Sequence, residues 1–288
     1  MNIKKRLFII GILITFIILI INFTNTYEKN IISKKQVTEI KNKYNLFNKN
    51  KNYKIENKER YIAYYEKNKN LSFDNVITRV NIGLDRNFYE YIKNTNIEKK
   101  EIILVNKYQK LSNNYIPNNL EEIDNEYFIN ANQNRKKLTK EAKINFENLS
   151  KASIKNNTPV YGQSAYRDYE TQKILYEDAI NNLGKEIAEK ETARPGHSEH
   201  QTGLAIDVSS TKDGNMLEFE NTKSFKWMIE NAHKYGFILR YPKNKESIHG
   251  YIYEPWHYRY VGIKIATDIY NNYNNLTYDE YYHKFIEN

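Results

Sequence analysis

Residues 198–208 read SEHQTGLAIDV and residues 254–262 read EPWHYRYVG; these two strings decide how the chain is read. In the first, the alternation from Leu204 to Val208 predicts a strand, with Ala205 and Asp207 on one face and Leu204, Ile206 and Val208 on the other. A carboxylate beside a small alanine suits the lip of a sheet. Gly203 lets the chain turn closely enough for His200 to reach back over that strand. In the second string, a regular strand would send Glu254 and His257 to opposite sides. Pro255 cannot donate to a ladder and marks an edge or break, so an irregular backbone is expected there, bringing both side chains onto one cavity.

His200, Asp207 and His257 amount to two imidazoles and a carboxylate. Three such ligands leave room for a water, which is how catalytic zinc is usually held. Glu254, three residues before His257, stands where a base could activate that water. On spacing alone, a His or Asp in such a place is more often structural. The chain has no Cys and only six His, so disulfides, zinc–thiolate sites, iron–sulfur clusters and cysteine nucleophiles are excluded. Any metal must be held by His and carboxylates.

Outward from the two strings, helical and extended periods follow one another without a repeating βα unit. RYIAYYEKN (60–68) reads as the start of a helix, VITRVNIGLD (76–85) as a strand running into a turn at Gly83, and EIILVNKY (101–108) as a strand. Over 135–156, Leu138, Ala142, Phe146 and Leu149 recur at helical intervals. A strand in PVYGQSAYR, helices over 169–190 and 222–235, and strands near GFILRYP and PWHYRYVG complete the pattern. The class predicted is α+β, with helices packed on a small, mostly antiparallel sheet.

The chain has 288 residues, 40% hydrophobic and 27% charged, with 10 Gly and 5 Pro. Such a composition supports an ordinary core and excludes wholesale disorder and collagen-like or Pro-rich architectures. The net charge of +9 is confined to the N-terminal part: residues 61–288 hold 31 basic and 31 acidic groups. A nucleic-acid-binding domain would carry its excess on the folded part, so no nucleic-acid partner is expected. Residues 7–23 (LFIIGILITFIILIINF) are apolar but for Thr15 and Asn22 and come directly after Lys4, Lys5 and Arg6. Seventeen residues span about 26 Å as a helix. The preceding charges keep 1–6 cytoplasmic and send the chain beyond Phe23 across the membrane. No small-residue cleavage site succeeds the run, so an uncleaved, single-pass signal anchor is expected. Residues 24–60 would form a basic extracytoplasmic stalk, and 61–288 the folded domain. The stalk's charge favours anionic headgroups or wall polymers, although Lys, Asn, Ile and Tyr are heavily used throughout the chain.

SEHQTGLAIDV and EPWHYRYVG resemble the VanY-type D-Ala-D-Ala carboxypeptidases, zinc peptidases of the superfamily that includes lysostaphin and the Sonic hedgehog signalling domain. VNIGLD (80–85), LVNKYQKL (104–111), SAYRDYETQ (164–172), ARPGHSEH (193–200) and the run from Phe237 to Gly262 extend the resemblance in order, over roughly residues 61–265. It implies a hedgehog/D-Ala-D-Ala-peptidase-like fold holding one Zn²⁺ through His200, Asp207 and His257, with Glu254 as the general base. Arg167 would hold the substrate and stabilise the charged intermediate, while Gln172 and Ser198 would line the substrate pocket. The alternative for Arg167 is a surface salt bridge with Asp168 or Glu170. Two positions depart from the family pattern: Ala165 stands where Gly is common, and His249, where Thr is usual, either perturbs the pocket or faces solvent, the second being the preferred reading. The function implied is a membrane-anchored D,D-carboxypeptidase trimming peptidoglycan stem peptides. L,D-carboxypeptidases, endopeptidases and, on the hedgehog branch, a zinc-bearing binding module without turnover are the alternatives; oligomeric state is unassigned. His197 is expected beside the site, with His233 and His283 apart from it and Trp227 and Trp256 most simply in the core, Trp256 also standing where it could orient the neighbouring His257.

Overall fold

The alternating run around Asp207 is an inner strand of a four-stranded antiparallel sheet in the computed structural model, which describes residues 20–24, 26, 46–129, 135–211 and 216–287. The helices are α1 (Lys58–Lys67), α2 (Phe73–Ile82), α3 (Lys140–Lys155), α4 (Tyr169–Leu183), α5 (Lys185–Glu191), α6 (Lys223–Asn231), the single turn α7 (Glu246–His249), α8 (Ile263–Asn272) and α9 (Tyr278–Phe285). The strands are β1 (Lys93–Asn94), β2 (Gln109–Lys110), β3 (Leu120–Glu122), β4 (Lys137–Thr139), β5 (Tyr161–Ser164), β6 (Ala205–Ser209), β7 (Phe237–Leu239) and β8 (His257–Tyr260). The main sheet runs β5-β6-β8-β7, with β3–β4 an antiparallel pair and β1–β2 a short parallel one. The expected α+β class with a small, mostly antiparallel sheet is what forms.

The apolar face of β6 makes the core. Leu204, Ile206 and Val208 are buried with Leu138, Ala142, Phe146 and Leu149, the residues spaced at helical intervals on and just before α3. Removing each of these Leu, Ile, Val and Phe side chains from water contributes about 1.5–3 kcal/mol. Asp207 is thereby turned to the opposite face. Gly162 on β5 lies against Phe128 and Ile206 so closely that a Cβ there would come within 2.7 Å of the Phe128 ring.

Two compact units divide between Val80 and Asn81, inside the stretch expected as one domain from residue 61. In the first, Phe47, Tyr61, Val76, Ile77 and Val80 form a small core. The apolar run 7–23 lies outside the described residues except for Ile20–Phe23, which are helical. Among the described residues no helix is long and apolar enough to cross a membrane.

Three local expectations are corrected. VITRVNIGLD is mostly the end of α2: Val76, Ile77 and Val80 share a helical face against Phe47, and that burial overrides their β-branched preference. EIILVNKY is not a strand but a buried irregular segment. The Glu101 and Ile103 carbonyls accept from Arg259 Nη2 at 3.0 and 2.7 Å, and the Leu104 carbonyl from Thr95 Oγ1 at 2.5 Å, so side chains do the work of a neighbouring strand. The helix expected over 169–190 is two helices, because Gly184 with φ 77° breaks it.

Candidate metal centre

Asp207 and His257 are direct partners in the β6–β8 register, which puts a carboxylate and an imidazole side by side on one face. His257 Nδ1 lies 2.9 Å from Asp207 Oδ1. His200 comes from the single 3-10 turn Glu199–Thr202, which ends at Gly203 in the left-handed region (φ 65°). That glycine is required twice over: a Cβ would meet Leu120 Cδ2 at 2.7 Å, and left-handed backbone disfavours any side chain. The turn folds His200 back so that Nε2 stands 3.3 Å from Asp207 Oδ2.

One ligand atom from each of His200, Asp207 and His257 lies within 4.8 Å of the others, and all three residues are buried. Tetrahedral zinc with ligand bonds of about 2.0–2.1 Å sets neighbouring donors about 3.3 Å apart; each imidazole stands at 2.9 or 3.3 Å from one Asp207 oxygen. His200 Nδ1 donates to the Ala165 carbonyl at 2.6 Å, which leaves Nε2 free of its proton to bind a cation. Burial, helped by Arg167, lowers the His200 imidazole to about 4, the neutral form a metal needs. Burial would raise the Asp207 carboxyl, but His200 and His257 hold it well below the usual range. The donor set fits zinc.

Glu254 sits in the turn before β8, where the His257 amide donates to its carbonyl at 3.2 Å. This irregular backbone brings the Glu254 carboxylate to 3.7 Å from His257 Nδ1, as the position of Pro255 led one to expect. Burial raises the Glu254 carboxyl to about 7; His257 and Arg167 oppose the rise and Asp207 adds to it. A carboxyl so placed exchanges a proton near neutral pH.

All seven residues singled out from the sequence line one cleft of about 170 Å³: Arg167, Gln172, Ser198, His200, Asp207, Glu254 and His257. A cavity of about 800 Å³ elsewhere contains none of them. Arg167 is no surface salt bridge. Asp168 instead caps α4 by accepting from the Thr171 amide at 2.7 Å, and burial lowers the Arg167 guanidinium while Asp207 and Glu254 favour its charge. Gln172 donates through Nε2 to the Ala193 carbonyl at 2.8 Å, and its Oε1 has no hydrogen-bond partner among the described residues.

Both departures from the family pattern find explanations. Ala165 contributes its carbonyl and has no positive φ, so glycine is not needed there. His249 does not face solvent. It is buried, with Nδ1 accepting from the Tyr251 amide at 3.2 Å and Nε2 3.4 Å from the Pro242 carbonyl. Trp256 lines the cleft instead of the core, and Trp227 packs half-buried against the core. His283 is buried in α9, with Nδ1 2.7 Å from Glu287. Sequence reasoning passed over Glu199, Tyr241 and Tyr251. Tyr241 lies against the His257 ring at 4.9 Å between centroids, and Glu199 Oε2 is 3.6 Å from His257 Nε2. An acidic residue beside a candidate ligand was the only signal for Glu199.

Residues 135–263 match the VanY family, described as D-alanyl-D-alanine carboxypeptidase. The putative carboxypeptidase YodJ of Bacillus subtilis (strain 168) is 42% identical over 185 residues, which are 64% of this chain and 67% of that protein. The solved structure of the LdcB LD-carboxypeptidase aligns with a TM-score of 0.62 at 39% identity, covering 68% of this chain and 91% of that one. A mutant of the D,D-pentapeptidase VanY from a VanB-type vancomycin-resistance cassette, solved with Zn(II), aligns with a TM-score of 0.53 at 31% identity, covering 63% and 98%.

Proposed function

The chain belongs to the VanY family of D-alanyl-D-alanine carboxypeptidases and is a zinc carboxypeptidase; from that premise we propose that it removes the terminal D-alanine from peptidoglycan stem peptides outside the membrane to which residues 7–23 anchor it. The observation that carries the proposal is the convergence of Glu254 and Arg167 on the His200–Asp207–His257 cluster in a single cleft. A zinc-binding module without turnover would have no use for a buried base and a half-buried guanidinium there.

His200, Asp207 and His257 would hold the zinc ion. When bound, zinc supplies Lewis-acid chemistry, polarising the scissile carbonyl and acidifying the attacking water. Glu254 takes the water's proton and hands it to the amine of the departing D-alanine. Arg167, charged at any working pH, stabilises the negative charge that develops on the carbonyl oxygen. Gln172 and Ser198 form the wall against which the terminal residue is oriented.

A second reading, L,D-carboxypeptidase action on tetrapeptide stems, is favoured by the higher identity and TM-score of the LdcB neighbour. Incubating the purified protein with pentapeptide and tetrapeptide muropeptides, with and without chelator, separates the two. Chelator-sensitive loss of one D-alanine from the pentapeptide is the expected result, and loss from the tetrapeptide alone would establish the second reading. Cleavage of neither by zinc-loaded protein would overturn both. The anchor and stalk are tested by fractionating cells and treating them with external protease. A domain that stays soluble inside the cell would contradict them.

A further inference from the structure

The C-terminal helix α9 lies beyond the matched residues 135–263, yet Tyr278 to Lys284 are all buried. Its N-terminus carries a full capping box: Thr277 Oγ1 accepts from the Glu280 amide at 3.1 Å, and Glu280 Oε2 accepts from the Thr277 amide at 2.9 Å. On its first turn, Asp279 is 1% exposed and uses both oxygens. Oδ2 accepts from Arg240 Nη1 at 2.7 Å and Oδ1 from Asn106 Nδ2 at 2.7 Å. Arg240, fully buried, donates its Nε to Glu199 Oε1 at 2.8 Å, and Arg259 donates Nη1 to the same oxygen at 2.7 Å. Two cations and two anions thus balance one another out of reach of water.

Among the described residues neither Glu199 Oε2 nor His257 Nε2 has a hydrogen-bond partner; the two buried atoms face each other across 3.6 Å. An imidazole can offer Nδ1 to a metal only if its proton resides on Nε2, and that N–H then needs an acceptor. Glu199 Oε2 is positioned to be that acceptor.

We propose that α9 is part of the metal centre: Asp279, through Arg240 and Glu199, holds His257 in the tautomer and orientation that present Nδ1 to the ion. Glu199 and Asp279 are positioning residues in this scheme. It rests on the reading of His200, Asp207 and His257 as the ligands. Asp279 is needed because without it Glu199 alone would face two buried guanidinium groups. Its carboxylate would then be drawn toward them, and Oε2 would be a poorer acceptor for His257.

The test is zinc affinity by chelator competition in the full chain, together with the visible absorption of the cobalt-substituted protein, for wild type, Glu199→Gln and Asp279→Asn. Wild type should bind zinc. Glu199→Gln should bind about ten- to a hundredfold more weakly and Asp279→Asn about tenfold more weakly, each with a displaced cobalt band. Simple loss of packing would lower the melting temperature but leave band and affinity unmoved below it. Folded variants that bind zinc like wild type with an unshifted cobalt band overturn the proposal and leave the ligand assignment standing. Wild type that takes up no zinc overturns both. Should Glu199→Gln fail to fold, Asp279→Asn decides by the same two readouts.

Discussion

In the proposed reaction Glu254 and Arg167 supply what a protein that merely holds zinc lacks, a proton carrier and a fixed positive charge. Replacing Glu254 by Ala or Gln removes the proton carrier but no ligand, so turnover should fall by about 10²–10⁴ with zinc content unchanged; zinc lost together with activity would contradict the role. Arg167→Ala should lower kcat by about 10²–10³ through loss of charge stabilisation, read in steady-state kinetics of the zinc-loaded enzyme; an unchanged kcat would show that the guanidinium only lines the cleft. At this scale the candidate cluster was legible, because residue type and spacing carry the chemistry: the residues proposed as ligands and base do line one cleft. Glu199 was not. Its role depends on Arg240 and Arg259, 41 and 60 residues away, and a carboxylate in a sequence shows nothing of which cations will surround it.

Among the elements, the β6–β8 pairing and the turn that precedes β6 place His200, Asp207 and His257. Gly203 is where that turn is most exposed to failure. Gly203→Ala must hold a side chain at φ 65° against Leu120, at about 1–2 kcal/mol for the backbone alone, and it should shift His200. A melting temperature lowered by several degrees together with weaker zinc binding is expected; weaker stability with unaltered zinc affinity would show that the turn does not position His200. Alternation predicted β6 and helical spacing predicted the core face of α3. Short elements with mixed signals were misread. In α2, β-branched residues sat on a helical face. Residues 101–108 kept a strand-like composition while arginine and threonine side chains took their carbonyls.

For the molecule as a whole, two imidazoles outside the proposed ligand set report on stability. Burial pushes His197 and His249 down to about 4 from an ordinary value near 6.5. His249 Nδ1 accepts the Tyr251 amide, so a second proton there breaks that bond; His197 Nδ1 already donates to the Asn106 carbonyl at 2.8 Å, and its second proton creates a charge that burial disfavours. The folded state binds fewer protons than the unfolded chain between these values. Their stabilising contribution is therefore complete above about pH 6.5 and is lost as pH falls toward 4. Melting temperature should decline through that window, and His249→Thr should flatten the decline. An equal slope in the variant would rule out His249 as a source. Charge is partitioned at this scale too: the basic excess lies before residue 61 and leaves 61–288 neutral.

By itself the sequence determined the chemistry on offer: no thiols, two histidines and an aspartate at workable spacing, a glutamate behind a proline, and a strand whose alternation turns Asp207 away from the core. Those are local properties, set by residue type and by a period of two or 3.6. The tertiary structure decided which distant groups meet. It set Asp207 against His257 across a strand pair, buried His249 instead of exposing it, broke the 169–190 helix at Gly184, and brought α9 to within two side chains of His257. Hydrogen bonds and ion pairs between residues far apart in the chain leave no periodic trace, and burial, which sets their strength, exists only once the whole chain has closed around them.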